Sequence, residues 1–266
     1  MSTFESAGIV TLLTDFGLAD TYVGQMKGVL LGIEPTLKIV DLTHDVSPQD
    51  IDEGAFQLAA AIGAFPSGTV HVAVVDPGVG TGRRAIVVQT STALYVAPDN
   101  GLLSYILPEA ISAFEISNPD LLRDSRTSTF HGRDVFAPTA GHLASGRIAV
   151  SDVGPSINPS SLIAQSRAIE SSDHTISTEI ASVDRFGNCI TLIPGEALPP
   201  AGTPVEVRCR EFRTKLLAKT YQDVAPGEPV SLVGSYGTLE LSVRDGSAAA
   251  EFSLARGDRV VVRLAG

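Results

Sequence analysis

The chain has 266 residues, 44% of them hydrophobic and 18% charged, with 19 Lys and Arg against 30 Asp and Glu and a net charge of −11. Disorder requires low hydrophobicity and dense charge, so a folded protein is implied, and the length suits two domains better than one. An acidic surface repels phosphate backbones, which argues against a nucleic-acid partner.

Residues 9–14 form a β-branched run ending at Asp15-Phe16-Gly17, and a helical stretch follows over 20–33. Residues 37–42 are a second apolar run, after which Ser47-Pro48 predicts an N-cap and a first-turn proline for a helix reaching 64. Residues 70–75 are almost wholly apolar, as in a strand covered on both faces; 85–89 and 94–97 add strands and 135–144 a helix. This alternation predicts a layered α/β domain over 1–160. Residues 161–175 fall in a stretch rich in Ser, Pro and Asn and read as a linker. Beyond it, short runs at 176–183, 204–208, 229–233, 239–243 and 259–264 alternate with Gly, Pro and Asp turns. Residues 176–266 therefore read as a smaller all-β domain, a barrel or a sandwich.

Two cysteines, Cys189 and Cys209, make neither a disulfide framework nor a metal site and are expected as buried thiols. Residues 1–7 carry an acid and no basic segment, so they do not read as a signal peptide. No apolar run approaches the roughly 18 residues of a membrane span, and a cytoplasmic protein without a membrane partner is expected.

Ligands of open α/β sheets bind beyond the carboxyl ends of the strands, which directs attention to the loops there. Asp15 follows the first strand, where a carboxylate accepting two hydrogen bonds suits a cis-diol; the alternative is a turn or cap aspartate. In Asp76-Pro77-Gly78-Val79-Gly80-Thr81-Gly82-Arg83, three glycines let the backbone approach a ligand, and a tight turn would bring Asp76 and Arg83 into a charge-assisted pair; the alternative is a hairpin-like turn with exposed arginines. Pro98-Asp99-Asn100-Gly101 reads as a structural turn. His131, between Phe130 and Gly132, is the titratable group of a fourth loop. His44 is expected to pair with Asp45; His71 begins a strand, His142 lies in a helix and His174 in the linker. No metal-ligand spacing, serine-hydrolase elbow or Walker loop occurs, so no metal is expected. In the β domain, Asp184-Arg185-Phe186-Gly187-Asn188 supplies a carboxylate, a ring and an amide, a set suited to an ammonium group and a purine.

Taken together, Leu13-Thr14-Asp15-Phe16-Gly17, Asp41-Leu42-Thr43-His44, Val75-Asp76-Pro77-Gly78-Val79-Gly80-Thr81, Pro98-Asp99-Asn100-Gly101, Thr129-Phe130-His131-Gly132-Arg133-Asp134 and Asp184-Arg185-Phe186-Gly187-Asn188 resemble the S-adenosyl-L-methionine (SAM) hydrolases that form adenosine. This family is also called the SAM hydroxide adenosyltransferases and is related to the SAM-dependent fluorinase and chlorinase. The resemblance spans residues 8–264 and both predicted domains. It implies an α/β domain joined to a C-terminal β-barrel, assembled as a homotrimer with SAM held between subunits. Asp15 would hold the ribose hydroxyls, Asp184 and Ser235 the methionine end, and Phe186, Asn188 and the Ala248 backbone the adenine. An Asp–Arg–His triad falls on Asp76, Arg83 and His131. Gln49 stands where the fluorinase has an aromatic residue near the ribose, and Ser247 where the family usually has Asn.

SAM is then the substrate and no cofactor is needed. Its sulfonium leaves as a neutral thioether, so an aligned water or hydroxide attacking ribose C5′ yields adenosine and L-methionine. In-line alignment is worth on the order of 7–11 kcal/mol. The triad would orient that water, with either Asp76 or His131 as base. A halogenase is the alternative, although its halide-contacting serine maps onto Gly132 and the Asp76 carboxylate would repel halide. A non-catalytic SAM or adenosine sensor is the other alternative; it would need no triad.

Overall fold

The structure, a computed structural model, describes residues 4–124, 126–165 and 169–264 and divides into two compact units, Met1–Gln165 and Ser166–Gly266. The first is built on a seven-stranded sheet in the order β2-β1-β3-β5-β4-β6-β7. Its strands are β1 (Ile9–Thr14), β2 (Lys38–Thr43), β3 (Thr69–Val74), β4 (Ala85–Gln89), β5 (Ala93–Pro98), β6 (Ser112–Glu115) and β7 (Ser156–Ile157). The neighbours β2, β1, β3 and β5 run parallel, and β4, β6 and β7 add on antiparallel.

Alternation along the strands sends side chains to two faces. Val10, Leu12, Val70 and Val72 pack with Met26 and Leu30 of α1 (Tyr22–Ile33) and with Ala140 of α3 (Ala137–Ala144). Leu13, Ala73 and Val75 turn the other way, onto Ala55 and Leu58 of α2 (Ile51–Ile62). Helices thus cover both faces, as the apolar strands implied. Because four neighbouring strands are parallel, their carboxyl ends share one edge, and the chain leaves that edge at His44, Asp15, Val75-Asp76 and Asp99.

Two helix starts differ from the sequence expectation. Helix α2 is capped by Asp50, whose carboxylate accepts the Glu53 N–H at 2.9 Å, and not by Ser47. Gln49 between them has φ +66°, a left-handed conformation that no helix can contain. The helix expected over 135–144 begins earlier, as a π-helical turn at Gly132–Phe136 that runs into α3. Within the segment read as a linker, Ile163 N–H donates to Asp99 at 2.8 Å and Gln165 N–H to Ser104 Oγ at 2.7 Å, while residues 170–172 form a strand.

The second unit contains β8 (Glu170–Ser172), β9 (Thr175–Val183), β10 (Cys189–Pro194), β11 (Pro204–Cys209), β12 (Phe212–Ala218), β13 (Pro229–Val233), β14 (Thr238–Val243) and β15 (Arg259–Leu264). Seven of these close a ring, β9-β10-β14-β13-β12-β11-β15 and back to β9, with β8 added outside on β9. Closure removes the ring's free edges. Ile180, Phe212, Leu241 and Val260 fill the interior with Cys189 and Cys209, whose thiols burial pushes up to about 12 and about 11. A four-residue helix, α4 (Ala248–Glu251), follows β14.

Loss of the Asp50 cap has a measurable expectation. Asp50→Ala should lower stability in chemical denaturation by about 1 kcal/mol, while Ser47→Ala should cost clearly less.

Candidate active site

Asp76 and Arg83 leave the shared strand edge on one glycine-rich loop and close on each other. Arg83 Nε lies 2.9 Å and 3.1 Å from the two Asp76 carboxylate oxygens, and Nη2 also donates to Oδ2. The pair is nearly dry, with the Asp76 side chain 3% and the Arg83 side chain 9% exposed. The guanidinium also lies over the Phe136 ring, 5.2 Å from its centroid. Arg83 Nη2 is 2.8 Å from His131 Nδ1. A guanidinium only donates, so Nδ1 accepts and the ring proton resides on Nε2. The imidazole is therefore neutral. Burial first, and then the Arg83 charge, lower its pKa below the ordinary 6.5, against the opposing pull of Asp76 and Asp134.

Local sequence explains how these groups meet. Gly80 has φ +79°, and a Cβ there would collide with the Ser128 carbonyl oxygen, so glycine lets the loop lie against the segment leading to His131. The Pro98-Asp99-Asn100-Gly101 turn braces both ends of that loop. Asn100 Nδ2 donates to the Val75 carbonyl at 2.9 Å, and Asp99 N–H donates to the Arg84 carbonyl at 3.0 Å. The π-helical turn after His131 is anchored by Asp134, which is fully buried. Asp134 accepts Arg133 Nε at 2.7 Å and Thr127 N–H at 2.9 Å. Burial opposes its ionisation, but these donors outweigh it and hold the carboxyl below its ordinary range.

Asp15 stands on the neighbouring strand end. Its Oδ2 accepts the Gln49 backbone N–H at 2.8 Å. The next residue, Phe16, joins an aromatic cluster with Tyr22 and Phe130 at centroid distances of 5.7 and 5.9 Å, which sets Asp15-Phe16 beside Phe130-His131. A Cβ on Gly132 would press on Met26 Sδ and Phe130 at 3.2 Å and on Phe16 at 3.3 Å. His44 pairs with residues other than the expected Asp45. Its Nε2 is 3.0 Å from Asp41 Oδ1 and its Nδ1 is 2.8 Å from Thr14 Oγ1. His71 is a core residue stacked on Tyr95, with burial lowering its pKa to about 4. A cleft of about 510 Å³ lined by Gln25, Val29, Arg123, Arg133, Pro138 and His142 includes none of the sequence-predicted site residues.

In the second unit, Asp184 organises its own loop. Its Oδ1 accepts the N–H groups of Phe186 and Asn188 at 2.9 Å, and its Oδ2 accepts Asn188 Nδ2 at 2.9 Å. A carboxylate has about four acceptor positions, so capacity for one further donor remains. The Phe186 ring is 77% exposed. Gly187 has φ +83°, and a Cβ there would strike Ser247 Oγ, while its carbonyl accepts the Ala249 N–H at 2.9 Å. Asp184, Phe186, Asn188, Ser247 and Ala248 thus gather on two touching loops. Ser235 lies exposed on the separate β13–β14 turn. Sequence reasoning passed over Glu240 beneath that turn: a buried carboxylate accepting the Tyr221 hydroxyl at 2.6 Å and the Ser242 hydroxyl at 2.7 Å. Its acidic side chain amid apolar β14 was the available signal.

The family models of the SAM hydroxide adenosyltransferase N-terminal and C-terminal domains match residues 10–154 and 178–261. The chain is similar to an (R)-S-adenosyl-L-methionine hydrolase from Salinispora tropica, at 39% identity over 95% of this chain and 97% of that one. A fluorinase from Actinoplanes is 28% identical over 97% and 98% of the two chains. Among solved structures, an uncharacterized conserved protein from Thermotoga maritima superposes with a TM-score of 0.90 at 36% identity, covering 96% of this chain and 99% of that one.

The His131 environment has a direct spectroscopic consequence. Titrated by NMR, His131 is expected to protonate below pH 6.5. Arg83→Met should move the midpoint upward, because the repelling cation goes while the Asp76 and Asp134 carboxylates stay.

Proposed function

The chain belongs to the SAM hydroxide adenosyltransferase family, and we propose that it hydrolyses S-adenosyl-L-methionine to adenosine and L-methionine. The observation that carries this reading is the nearly dry Asp76–Arg83 pair with His131 on its outer nitrogen. A binding module would have no use for such an arrangement.

In this reaction a water oxygen bonds to ribose C5′ as the C5′–S bond breaks, and its electron pair stays on sulfur as a neutral thioether. The leaving group needs no proton, so the protein's task is to align the water and remove one proton from it. Arg83 stabilises the hydroxide character that develops on the water. Asp76 is the proton acceptor, because the His131 Nδ1 lone pair is committed to Arg83. His131 instead offers Nε2–H, a donor that holds the water oxygen. Asp15 binds the ribose hydroxyls; Asp184 and Ser235 bind the methionine end; Phe186, Asn188 and the Ala248 backbone bind adenine. No cofactor enters this scheme.

The same charge pattern disfavours halogenation. An anionic Asp76 repels halide in a water-poor site. A serine at position 132 would also have to displace Met26, Phe16 or Phe130 by a few tenths of an ångström.

Family resemblance further supports a homotrimer in which each site draws on two subunits. Mixing inactive Asp76→Ala and inactive Asp184→Ala subunits should then restore part of the activity, and sedimentation should give three chains per particle. Purified protein incubated with SAM, with and without chloride or fluoride, should release adenosine and methionine and no 5′-halo-adenosine. Asp76→Ala, Arg83→Ala and His131→Ala should each lower kcat by at least ~100-fold while changing SAM binding less. Full activity in all three would remove the triad from the account.

A further inference from the structure

The segment Asp41-Leu42-Thr43-His44 has no part in the chemistry above, yet it grips the turn that carries Asp15. His44 is 4% exposed, and its Nδ1 lies 2.8 Å from Thr14 Oγ1. The same Thr14 oxygen accepts the Phe16 N–H at 3.2 Å and keeps its hydroxyl proton to donate. Because Nε2 faces a carboxylate oxygen, which only accepts, the ring proton belongs on Nε2 and Nδ1 accepts from Thr14. Nε2 lies 3.0 Å from Asp41 Oδ1, a poorly aligned and mainly electrostatic contact, while Asp41 Oδ2 accepts Lys27 Nζ at 2.6 Å. The His44 carbonyl in turn accepts the Gly17 N–H at 2.8 Å. One residue thus holds positions 14 and 17, on either side of Asp15-Phe16. Five residues on, the left-handed Gln49 backbone donates its N–H to Asp15 Oδ2. A left-handed conformation at a non-glycine residue persists only where surrounding contacts enforce it.

We infer that His44 is a positioning residue for Asp15: together with the Gln49 N–H it fixes the aim of the carboxylate, so that the site selects nucleosides bearing a 2′,3′-diol. The inference rests on the reading of Asp15 as the ribose-binding group. A merely structural histidine would weaken every ligand alike, whereas a positioning one affects only ligands that use the diol.

The test is calorimetric titration of the full-length protein with adenosine and with 2′,3′-dideoxyadenosine, for the wild type, His44→Ala and the near-isosteric Thr14→Val. The expected result is wild-type preference for adenosine. His44→Ala should lose about 10-fold in adenosine affinity, the scale of one charge-assisted hydrogen bond, with dideoxyadenosine affinity within about 2-fold of wild type. Thr14→Val breaks the same link, together with the Phe16 N–H bond of the same turn, without removing the ring and should show a diol-dependent loss at least as large, which keeps the test decisive should His44→Ala fold poorly. KM for SAM should rise in parallel. Equal losses for both nucleosides, or no loss for either, would overturn the positioning role while leaving Asp15 as the ribose ligand. A wild-type protein that does not distinguish the two nucleosides would overturn the ribose reading itself.

Discussion

A guanidinium can only donate, and this simple constraint orders the candidate site. Arg83 points hydrogens at the Asp76 oxygens and at His131 Nδ1 together, so the imidazole is forced to accept and to remain neutral. Burial acts in the same direction on His131. The site therefore contains one fixed anion, one fixed cation and one neutral donor. With little water to screen them, their charges are felt at close range.

The surroundings are devoted to keeping three flexible side chains still. The Asp99-Asn100 turn pins both ends of the loop between Asp76 and Arg83, and Asp134 ties the π-helical turn to Thr127 and Arg133. The loop from His44 to Gln49 does the same for Asp15. Two of these braces, Asn100 on Val75 and the Gln49 N–H on Asp15, come from a segment adjacent at the sheet edge, whereas Asp134 lies within the turn it anchors. A parallel sheet makes this possible, because neighbouring strands present their carboxyl ends side by side.

Much of this was legible in the sequence. Apolar runs marked the parallel strands, and the spacing of Asp76 and Arg83 across three glycines suggested their pairing. The misreadings share a physical cause. Ser47-Pro48 looks like a cap by local propensity, but the Gln49 N–H is drawn to Asp15, a partner 34 positions away. His44 looks suited to Asp45, its neighbour in the chain, but the β1–β2 pairing brings Thr14 to its Nδ1, and its Nε2 faces back to Asp41, three residues upstream. The π-helical start at Gly132 changes hydrogen-bond register without changing hydrophobic pattern, so periodicity does not reveal it. β10 and β12 carry mixed patterns whose meaning depends on ring closure.

The ring has an arithmetic of its own. Strands that alternate direction around a closed circle must be even in number, and this circle has seven. At least one adjacent pair must therefore point the same way, and β12–β13 is that pair, joined over only Leu217↔Ser231 and Ala218↔Leu232. Same-direction neighbours cannot be joined by a hairpin, so the chain from 219 to 228 must travel back along the cylinder before β13 begins. An odd strand count thus requires one such seam, and the chain order puts it at β12–β13. Amide exchange should start at this seam, with the Thr214–Ser231 hydroxyl contact as its side-chain stitch.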